Sequence, residues 1–368
     1  MRIKIWMVVA VVLLIGACLF TKRFYKTQRL REDFVIQNIG HHLTQLTSSE
    51  AFSGVVLIAK NGIPIFSQAI GLADREKQIP NSLDTKFYVA SLGKMFTAVA
   101  IVGLVQQGKL KLSDAVKDFL PDYKNAGVAA VTIEQLLTHQ GGTAFDAFDS
   151  PEYKSNIDHL RELSDYIAFY GPRGLTSVPG HTFEYSNYGY ILLGAIIEQV
   201  AKQSYHDYIV QHIFKKAGMA DSGFFLKDEG GSHKAIGYLN ADPHDMHNNY
   251  DALPYRGRPD GGCYCTVADL LKFANALESH VLLDEYHTHL VTSGKVLMGT
   301  SPAKYGYGFV ELEMHGMRCF GHDGKIPGAN AEFIVCPNRY TIIVLSNVSN
   351  GAKAVRRFIV EQLLGALK

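Results

Sequence analysis

Strand patterns occur at both ends of this chain, and helical patterns fill its middle. Near the start, residues 52–60 and 63–71 are predicted as two strands joined by a tight turn at Asn61-Gly62. Near the end, the alternation predicts four more strands, over residues 305–314, 318–322, 331–335 and 340–345. A chain that leaves a strand region and returns to one is expected to form one sheet assembled from its two termini.

Helical spacing of apolar residues dominates the region from about 90 to 300. The predicted helices there are 92–108, 132–139, 157–170, 187–203, 205–217 and 266–278, with terminal helices at 33–47 and 352–367. The predicted fold class is α/β (α+β), with a sheet from about 32–85 and 300–368 and an inserted, mostly helical domain from about 90–300. A site is expected in the cleft between the two parts.

Bulk composition excludes several classes of protein. The 368 residues are 47% hydrophobic and 19% charged, which is typical of a globular chain and not of a disordered one. Lysine and arginine (36) nearly balance aspartate and glutamate (35), so no nucleic-acid partner is expected. Residues 32–368 are predicted to form one domain, which follows a distinct N-terminal segment.

That segment, residues 1–31, carries an apolar run over residues 5–20. The run is typical of a membrane anchor or of a signal sequence, and Cys18 stands where a lipoprotein would be lipidated. Two positive charges precede the run and five follow it, which by the positive-inside rule would leave the chain in the cytoplasm. No acidic residue precedes Glu32, so a mitochondrial presequence is an alternative. We expect attachment to the extracytoplasmic face of the cell envelope, through an anchor or a lipidated Cys18, with a soluble secreted form left open; the expectation of export rests mainly on the family resemblance given below.

The remaining cysteines leave the redox state undecided. Cys263 and Cys265 are too close along a strand for an ordinary disulfide. Cys319 and Cys336 lie on two successive predicted strands, where they pair if the register allows and otherwise remain buried thiols.

Ser91 and Lys94 are the first candidate catalytic pair. Ser91 opens the apolar helix 92–108, where unpaired backbone amides and the positive end of the helix dipole can bind an oxyanion. Lys94 follows three residues later and therefore lies on the same helical face. Burial beneath an apolar helix disfavours its charge and makes it a usable base. The alternative is a helix-capping serine beside an ordinary surface lysine.

Tyr185 and Asn187 precede the predicted helix 187–203. A phenol close to an ammonium is expected to be more acidic than usual, so Tyr185 can take and return a proton. The Asn187 amide can hold the lysine on one side and a substrate carbonyl on the other. The alternative for Asn187 is a helix cap.

His322 and Gly324 are predicted to point to the same face of a strand, with Asp323 facing away. Gly324 would let a substrate backbone approach, and the amide of Lys325 would be a second oxyanion donor beside that of Ser91. The alternative is a strand-end histidine in a glycine-rich turn.

Taken together, Ser91-Leu92-Gly93-Lys94, Tyr185-Ser186-Asn187 and His322-Asp323-Gly324 resemble the serine β-lactamase and penicillin-binding superfamily, specifically the class C β-lactamase-like serine hydrolases. The resemblance runs from about Phe34 to about Leu364, and two further segments carry it, Leu136-Leu137-Thr138-His139 and Gly261-Gly262-Cys263-Tyr264-Cys265-Thr266. It implies an antiparallel sheet with terminal helices and a helical domain. It also implies that Ser91 is acylated while Lys94 and Tyr185 share proton transfer.

His322 departs from the pattern of the β-lactamases in this class, which usually carry lysine there. Histidine is more usual in the family's esterases and D-amino-acid peptidases. The resemblance therefore implies an acyl-enzyme hydrolase of an ester, a D-amino-acid peptide or an amide, with a small-molecule or peptide substrate and no cofactor. A penicillin-binding-like protein with little turnover and a true β-lactamase are the alternatives. No metal site is expected, and His244-Asp245-Met246-His247 is interpreted as solvated surface.

Overall fold

The computed structural model describes residues 32–45, 52–144, 150–227, 229, 233–240, 242, 244–337 and 339–365. The apolar run 5–20 and Cys18 lie outside them. The strands are β1 (Gly54–Lys60), β2 (Ile63–Ile70), β3 (Leu72–Asp74), β4 (Ile79–Pro80), β5 (Phe87–Tyr88), β6 (Tyr264–Cys265), β7 (Val296–Leu297), β8 (Lys304–Tyr305), β9 (Val310–Met314), β10 (Met317–Ile326), β11 (Ala329–Cys336) and β12 (Tyr340–Ser346).

Eight of these strands form one antiparallel sheet in the order β2-β1-β12-β11-β10-β9-β8-β7. The two ends of the chain meet in its middle, where Gly54 of β1 is opposite Ser346 of β12. The prediction of one sheet built from both termini is confirmed.

The predicted strand 305–314 is interrupted between β8 and β9. Gly308 has a φ of 74°, and a Cβ added there would lie 2.7 Å from the carbonyl oxygen of Lys94. The chain leaves the ladder at this glycine to pass against the helix that carries Lys94. The two-stranded pairs β3-β4 and β5-β6 were not predicted, because two or three residues are too few to show alternation.

The helices are α1 (32–45), α2 (Gly93–Gln106), α3 (Val116–Phe119), α4 (Ala126–Ala129), α5 (Ile133–Leu137), α6 (Pro151–Asn156), α7 (Leu163–Tyr170), α8 (Asn187–Ala201), α9 (Tyr205–Ile209), α10 (Lys215–Ala217), α11 (Val267–Glu278), α12 (Glu285–Thr292) and α13 (Gly351–Gly365). The long predicted helices agree with α2, α8 and α11. The predicted helix 157–170 is shorter than expected, since α7 begins only at Leu163. A wider turn, Val210–Phe214, separates α9 from α10 within the predicted helix 205–217.

The sheet separates two hydrophobic cores, because alternate residues of each strand point to opposite faces. Val55 and Leu57 of β1 pack in the core shared with the helical part, whereas Val56 and Ile58 pack against the terminal helices α1 and α13. We call these the catalytic face and the terminal-helix face. Helix α2 lies in the first core and is buried on all sides from Gly93 to Val102.

On the terminal-helix face, Cys319 and Cys336 form a disulfide between the neighbouring strands β10 and β11, with a Cα–Cα distance of 4.2 Å. Cys263 and Cys265 are buried thiols with their sulfur atoms 3.8 Å apart. Among the residues described, no helix has the length and apolar character needed to cross a bilayer.

Candidate active site

Ser91 lies in a single helical turn, Ala90–Leu92, directly before α2. The residue before it, Ala90, has a φ of 46°, which is unfavourable for any residue other than glycine. The Ala90 carbonyl accepts a hydrogen bond of 3.0 Å from the amide of Gly262. A Cβ added at Gly261 would lie 2.4 Å from the same carbonyl oxygen. The glycine pair therefore permits the close contact that holds the turn in this conformation.

Lys94 is fully buried, and its side-chain nitrogen is surrounded by acceptors. Its Nζ donates to Oδ1 of Asn187 at 2.7 Å, to the backbone carbonyl of Asp260 at 2.6 Å and to Oγ of Ser91 at 3.4 Å. Burial disfavours the charged form, whereas the three acceptors favour it. The lysine is thus fixed in place with its nitrogen directed at the serine.

Tyr185 completes this arrangement. Its hydroxyl is hydrogen-bonded to Ser91, and Nζ of Lys94 lies 4.7 Å from the centre of its ring. The residue keeps 38% of its surface exposed, yet the protein around the phenol group raises its pKa well above the usual value. The hydrogen bond from Ser91 lowers the pKa only in part. The expectation of an unusually acidic phenol is therefore wrong, because desolvation outweighs the hydrogen bond from Ser91.

Asn187 is the first residue of α8, but it is not the cap of that helix. The side chain of Ser186 accepts from the amide of Gly189 and fills the capping role. This leaves the Asn187 side chain directed at Lys94, as the functional interpretation requires.

His322 and Gly324 are buried and Asp323 is exposed, as expected for alternate residues of β10. The imidazole of His322 lies 3.1 Å from the hydroxyl of Tyr305 and also contacts the carbonyl of Asp323. Burial lowers its pKa, Asp323 raises it and Lys94 lowers it again, and the net direction is downward. His322 is therefore a neutral group beside Tyr305 and Tyr185.

Glycine is required at position 324 for a different reason from the one predicted. A Cβ added there would lie 2.1 Å from the Val89 carbonyl oxygen and 3.2 Å from the Ala90 side chain. The close approach is thus made by the turn that carries Ser91, and not only by a substrate. Lys325, the next residue of β10, has an exposed side chain, and its backbone follows the glycine that touches this turn.

His139 was not predicted as a site residue, although its segment contributes to the family resemblance. It is 1% exposed, and its ring centre lies 4.3 Å from that of Tyr185 and 4.4 Å from that of Tyr305. Its Nδ1 accepts from the amide of Ser186 at 3.0 Å, which places the proton on Nε2. Burial lowers the pKa of His139 well below its usual value, and the charge of Lys94 lowers it further. It fixes the segment that carries Tyr185 and Asn187.

A buried ion pair was also missed. Arg258 binds Asp260 with two hydrogen bonds, Nε to Oδ1 at 2.9 Å and Nη2 to Oδ2 at 3.0 Å. The backbone carbonyl of the same Asp260 accepts from Lys94. Charged residues in a loop are usually solvated, so the sequence offers no signal that this pair lies beneath the catalytic helix.

Within the described residues, no three His, Cys, Asp or Glu side chains are grouped closely enough to hold a metal ion. His244 and His247 are exposed, and His247 is bound to Asp245.

A protein-family model described as Beta-lactamase matches residues 39–365. The chain belongs to the beta-lactamase family. This family member is 30% identical to PbpX of Bacillus subtilis (strain 168) over 328 residues, which cover 86% of this chain and 75% of that protein. Its fold matches that of a penicillin-binding protein from Bacillus halodurans with a TM-score of 0.79 and 34% identity, over 86% of this chain and 98% of that one.

The D-amino acid amidase from Ochrobactrum anthropi SV3 shares the fold with a TM-score of 0.73 and 23% identity, over 91% of this chain and 98% of that one. The family and the fold implied by the sequence resemblance are both confirmed. Members of this fold include hydrolases, and the chain is one of the beta-lactamase-like serine hydrolase superfamily.

Proposed function

We propose that this protein is a serine hydrolase that forms an acyl-enzyme at Ser91. One observation carries the proposal: Nζ of Lys94 lies between Ser91, Asn187 and Asp260, while Tyr185 is bonded to the same Ser91. A serine needs a neighbouring base to become a nucleophile and a proton donor for its leaving group. These residues supply both.

In the proposed acylation, Oγ of Ser91 attacks the substrate carbonyl carbon and passes its proton to the neutral amine of Lys94. The raised pKa of Tyr185 keeps its phenol protonated, so it can donate a proton to the departing alcohol or amine. The amides of Ser91 and Lys325 would stabilise the oxyanion. Lys94 returns the proton it took from Ser91 to the Tyr185 phenolate. Water then attacks the ester, giving one proton through the Lys94 amine to Oγ of Ser91, which releases the acid and restores Ser91.

The substrate is proposed to be an ester, a D-amino-acid peptide or an amide. His322 stands where the β-lactamases of this class usually carry a lysine, and its lowered pKa leaves it neutral. A neutral imidazole bound to Tyr305 is a weaker partner for a substrate carboxylate than an ammonium is. Carboxylate-bearing β-lactams are therefore disfavoured as the physiological substrate.

The protein is also proposed to function in the cell envelope, outside the cytoplasm. The buried Cys319–Cys336 pair supports this location, because disulfides persist mainly in oxidising compartments. Alkylation of thiols before and after reduction, in intact cells, tests it. A pair that is alkylated without reduction would contradict the proposal.

The test of function treats purified full-length protein with a fluorophosphonate probe, followed by peptide mass spectrometry. We expect one adduct on Ser91 and turnover of short acyl esters. Both should disappear in Ser91→Ala and persist in Ser279→Ala, a control at the exposed end of α11. An adduct without turnover of esters or D-amino-acid amides would favour a penicillin-binding-like role. Rapid turnover of a chromogenic cephalosporin would favour a β-lactamase, and the absence of any adduct would contradict acyl transfer at Ser91.

A further inference from the structure

One loop, residues 257–263, passes behind both halves of the catalytic pair. Its Gly262 amide holds the Ala90 carbonyl, and its Asp260 carbonyl accepts from Lys94. Thr97, one turn after Lys94 on α2, donates to the Pro259 carbonyl at 2.6 Å. A shift of this loop would therefore move the nucleophile and the lysine together.

The loop is held in place from below by the Arg258–Asp260 pair. The side chains of these two residues are only 10% and 6% exposed, and they meet in the two-bond geometry that fixes both planes. Arg258 also donates to the hydroxyl of Tyr153 on α6 at 2.6 Å. This orients the Asp260 carbonyl that faces Nζ of Lys94.

A buried ion pair contributes little net stability, since desolvation offsets most of the attraction between its charges. An apolar pair of similar volume would fill the same space at no greater cost. The pair lies one backbone carbonyl away from Nζ of Lys94. This position suggests that the pair contributes to the active site and not to net stability.

We propose that Arg258 and Asp260 form a positioning pair for Lys94, which holds the Asp260 carbonyl against Nζ and whose two opposite charges set how readily Lys94 releases a proton. The inference rests on the proposed acyl transfer at Ser91, in which Lys94 is the base. Both residues act through Lys94, and neither is assigned contact with substrate. Asp260 also raises the pKa of Tyr185, so the limb assigned to Lys94 is the acid one.

Other groups also face Lys94 and contribute to its electrostatic environment. In the described part of the chain they are Ser91 in the turn before α2, Tyr185, Asn187 and Tyr190 from the α8 side, His139 after α5, and His322 from β10. The exposed Asp323 acts on Tyr185 and His322. The neighbouring histidines have lowered pKa values, so they add no charge near neutral pH. Arg258 and Asp260 are therefore the buried charges whose removal should be felt most directly.

The two partners should shift the pH profile in opposite directions. Asp260→Asn leaves the positive Arg258 alone near Lys94, which disfavours the ammonium and moves the acid limb of kcat/KM to lower pH. Arg258→Gln leaves the negative Asp260 alone and moves that limb to higher pH. For a nearby buried charge, the acid limb is expected to move by about one pH unit. The double variant Arg258→Gln/Asp260→Asn removes both charges and should return the limb toward its original position.

The experiment records kcat/KM for an acyl ester from pH 4 to 10, a range of about six units chosen to span the lysine and tyrosine titrations. Full-length wild type, the two single variants and the double variant are compared. Arg258→Lys keeps the cation but loses the two-bond geometry, so it should lower kcat without moving the limb. Glu332→Gln is the matched control, because Glu332 forms a buried pair with Arg356 on the other face of the sheet.

Opposite shifts that cancel in the double variant would support the positioning role. Equal losses of rate with unmoved limbs would overturn it and make the pair structural only. Titration of the Lys94 side-chain nitrogen by NMR, in protein carrying 15N-labelled lysine and assigned with Lys94→Arg, gives the same comparison without turnover. Wild type that hydrolyses nothing would thus refute the proposed function, while an unmoved Lys94 titration in all variants would refute this inference.

Discussion

The two faces of the central sheet are built on different principles. The catalytic face holds a fully buried lysine, Lys94, and a strained φ at Ala90. It also holds a buried imidazole nitrogen, Nε2 of His139, with no hydrogen-bond partner among the described residues. The terminal-helix face holds an apolar core and a disulfide. Each feature of the first face costs stability. The difference suggests that the second face stabilises the sheet on which the first is built, so that activity and stability can be changed separately.

The largest expected effect comes from removing the buried charge on the catalytic face. Lys94→Met should lower kcat/KM about 10²–10⁴-fold, the usual range for lost acid–base catalysis. It should change the free energy of unfolding by no more than about 1–2 kcal/mol, because the gain from an apolar side chain offsets the donor lost by Asn187 and the Asp260 carbonyl. Ester hydrolysis and urea unfolding of the same samples measure both quantities.

The exposed Lys109, beyond the end of α2, provides the control. Lys109→Met should change neither quantity. If Lys94→Met kept activity within tenfold of wild type, the lysine would not be the base. If it unfolded far more easily, Lys94 would belong to the stabilising part of the structure and the contrast between the faces would be lost.

The opposite result is expected on the terminal-helix face. Replacing Cys319 and Cys336 together by alanine should lower the free energy of unfolding by about 3 kcal/mol, since the bridge closes a loop over a sequence separation of 17 residues. Their side chains point away from Ser91, so kcat and KM for the same ester should change less than twofold.

Reduction of the wild type by dithiothreitol should reproduce the loss, and Cys263→Ala, a change at a buried thiol outside the disulfide, is the control for cavity formation. A large loss of kcat in the double alanine variant at full structural integrity would show that the two faces are coupled.

The sequence predicted the catalytic side chains better than it predicted what holds them. Ser91, Lys94, Tyr185 and Asn187 carry their chemistry in their side chains, and the structure brings all four together. The acceptor at Asp260 is a backbone carbonyl, which every residue possesses, so no residue type marks it. The direction of the Tyr185 pKa also depends on burial, which a local pattern does not reveal.

The fold shows the same limit. The long strands and helices were predicted because their periodicity is clear, and the sheet followed from their order along the chain. The break at Gly308 depends on contact with Lys94, more than two hundred residues earlier in the sequence. Whether the two cysteines pair depended on the register of strands β10 and β11. In the structure Phe320 lies opposite Val335, so the neighbouring Cys319 and Cys336 lie side by side.

A smaller, pH-dependent effect is expected from Glu332, again on the terminal-helix face. Burial raises its pKa to about 7 from 4.5, in spite of its ion pair with Arg356. The native state therefore holds a proton that the unfolded state has lost between about pH 4.5 and 7. This stabilisation is complete below pH 4.5 and is lost as pH rises through about 7, a change of roughly 3 kcal/mol.

Glu332→Gln should remove this slope, so that the variant gains stability relative to wild type as pH rises. Urea unfolding at several pH values between these limits measures it. Activity should be unchanged at every pH at which both proteins are folded. A wild-type free energy of unfolding that rose across the same interval would contradict the assignment of the slope to Glu332.

The smallest expected effect tests the strain at the nucleophile itself. Ala90 adopts its φ of 46° at a cost of about 1 kcal/mol, which glycine does not incur. Ala90→Gly removes that cost but also frees the turn in the unfolded chain, so the gain in stability should be under about 1 kcal/mol. The turn would then be less restricted around Ser91, and kcat should fall several-fold while KM changes little.

Lys202→Gly is the matched control, because Lys202 has a φ of 56° at the end of α8, away from the catalytic turn. It should give the same small change in the free energy of unfolding with no change in kcat. Both variants relieve the strain of a positive φ, but only Ala90→Gly also loosens the turn that carries Ser91. A difference in kcat between them therefore reports the loss of a fixed nucleophile. An Ala90→Gly enzyme as fast as wild type would mean that the hydrogen bond from the Gly262 amide to the residue 90 carbonyl holds Ser91 without help from the alanine side chain.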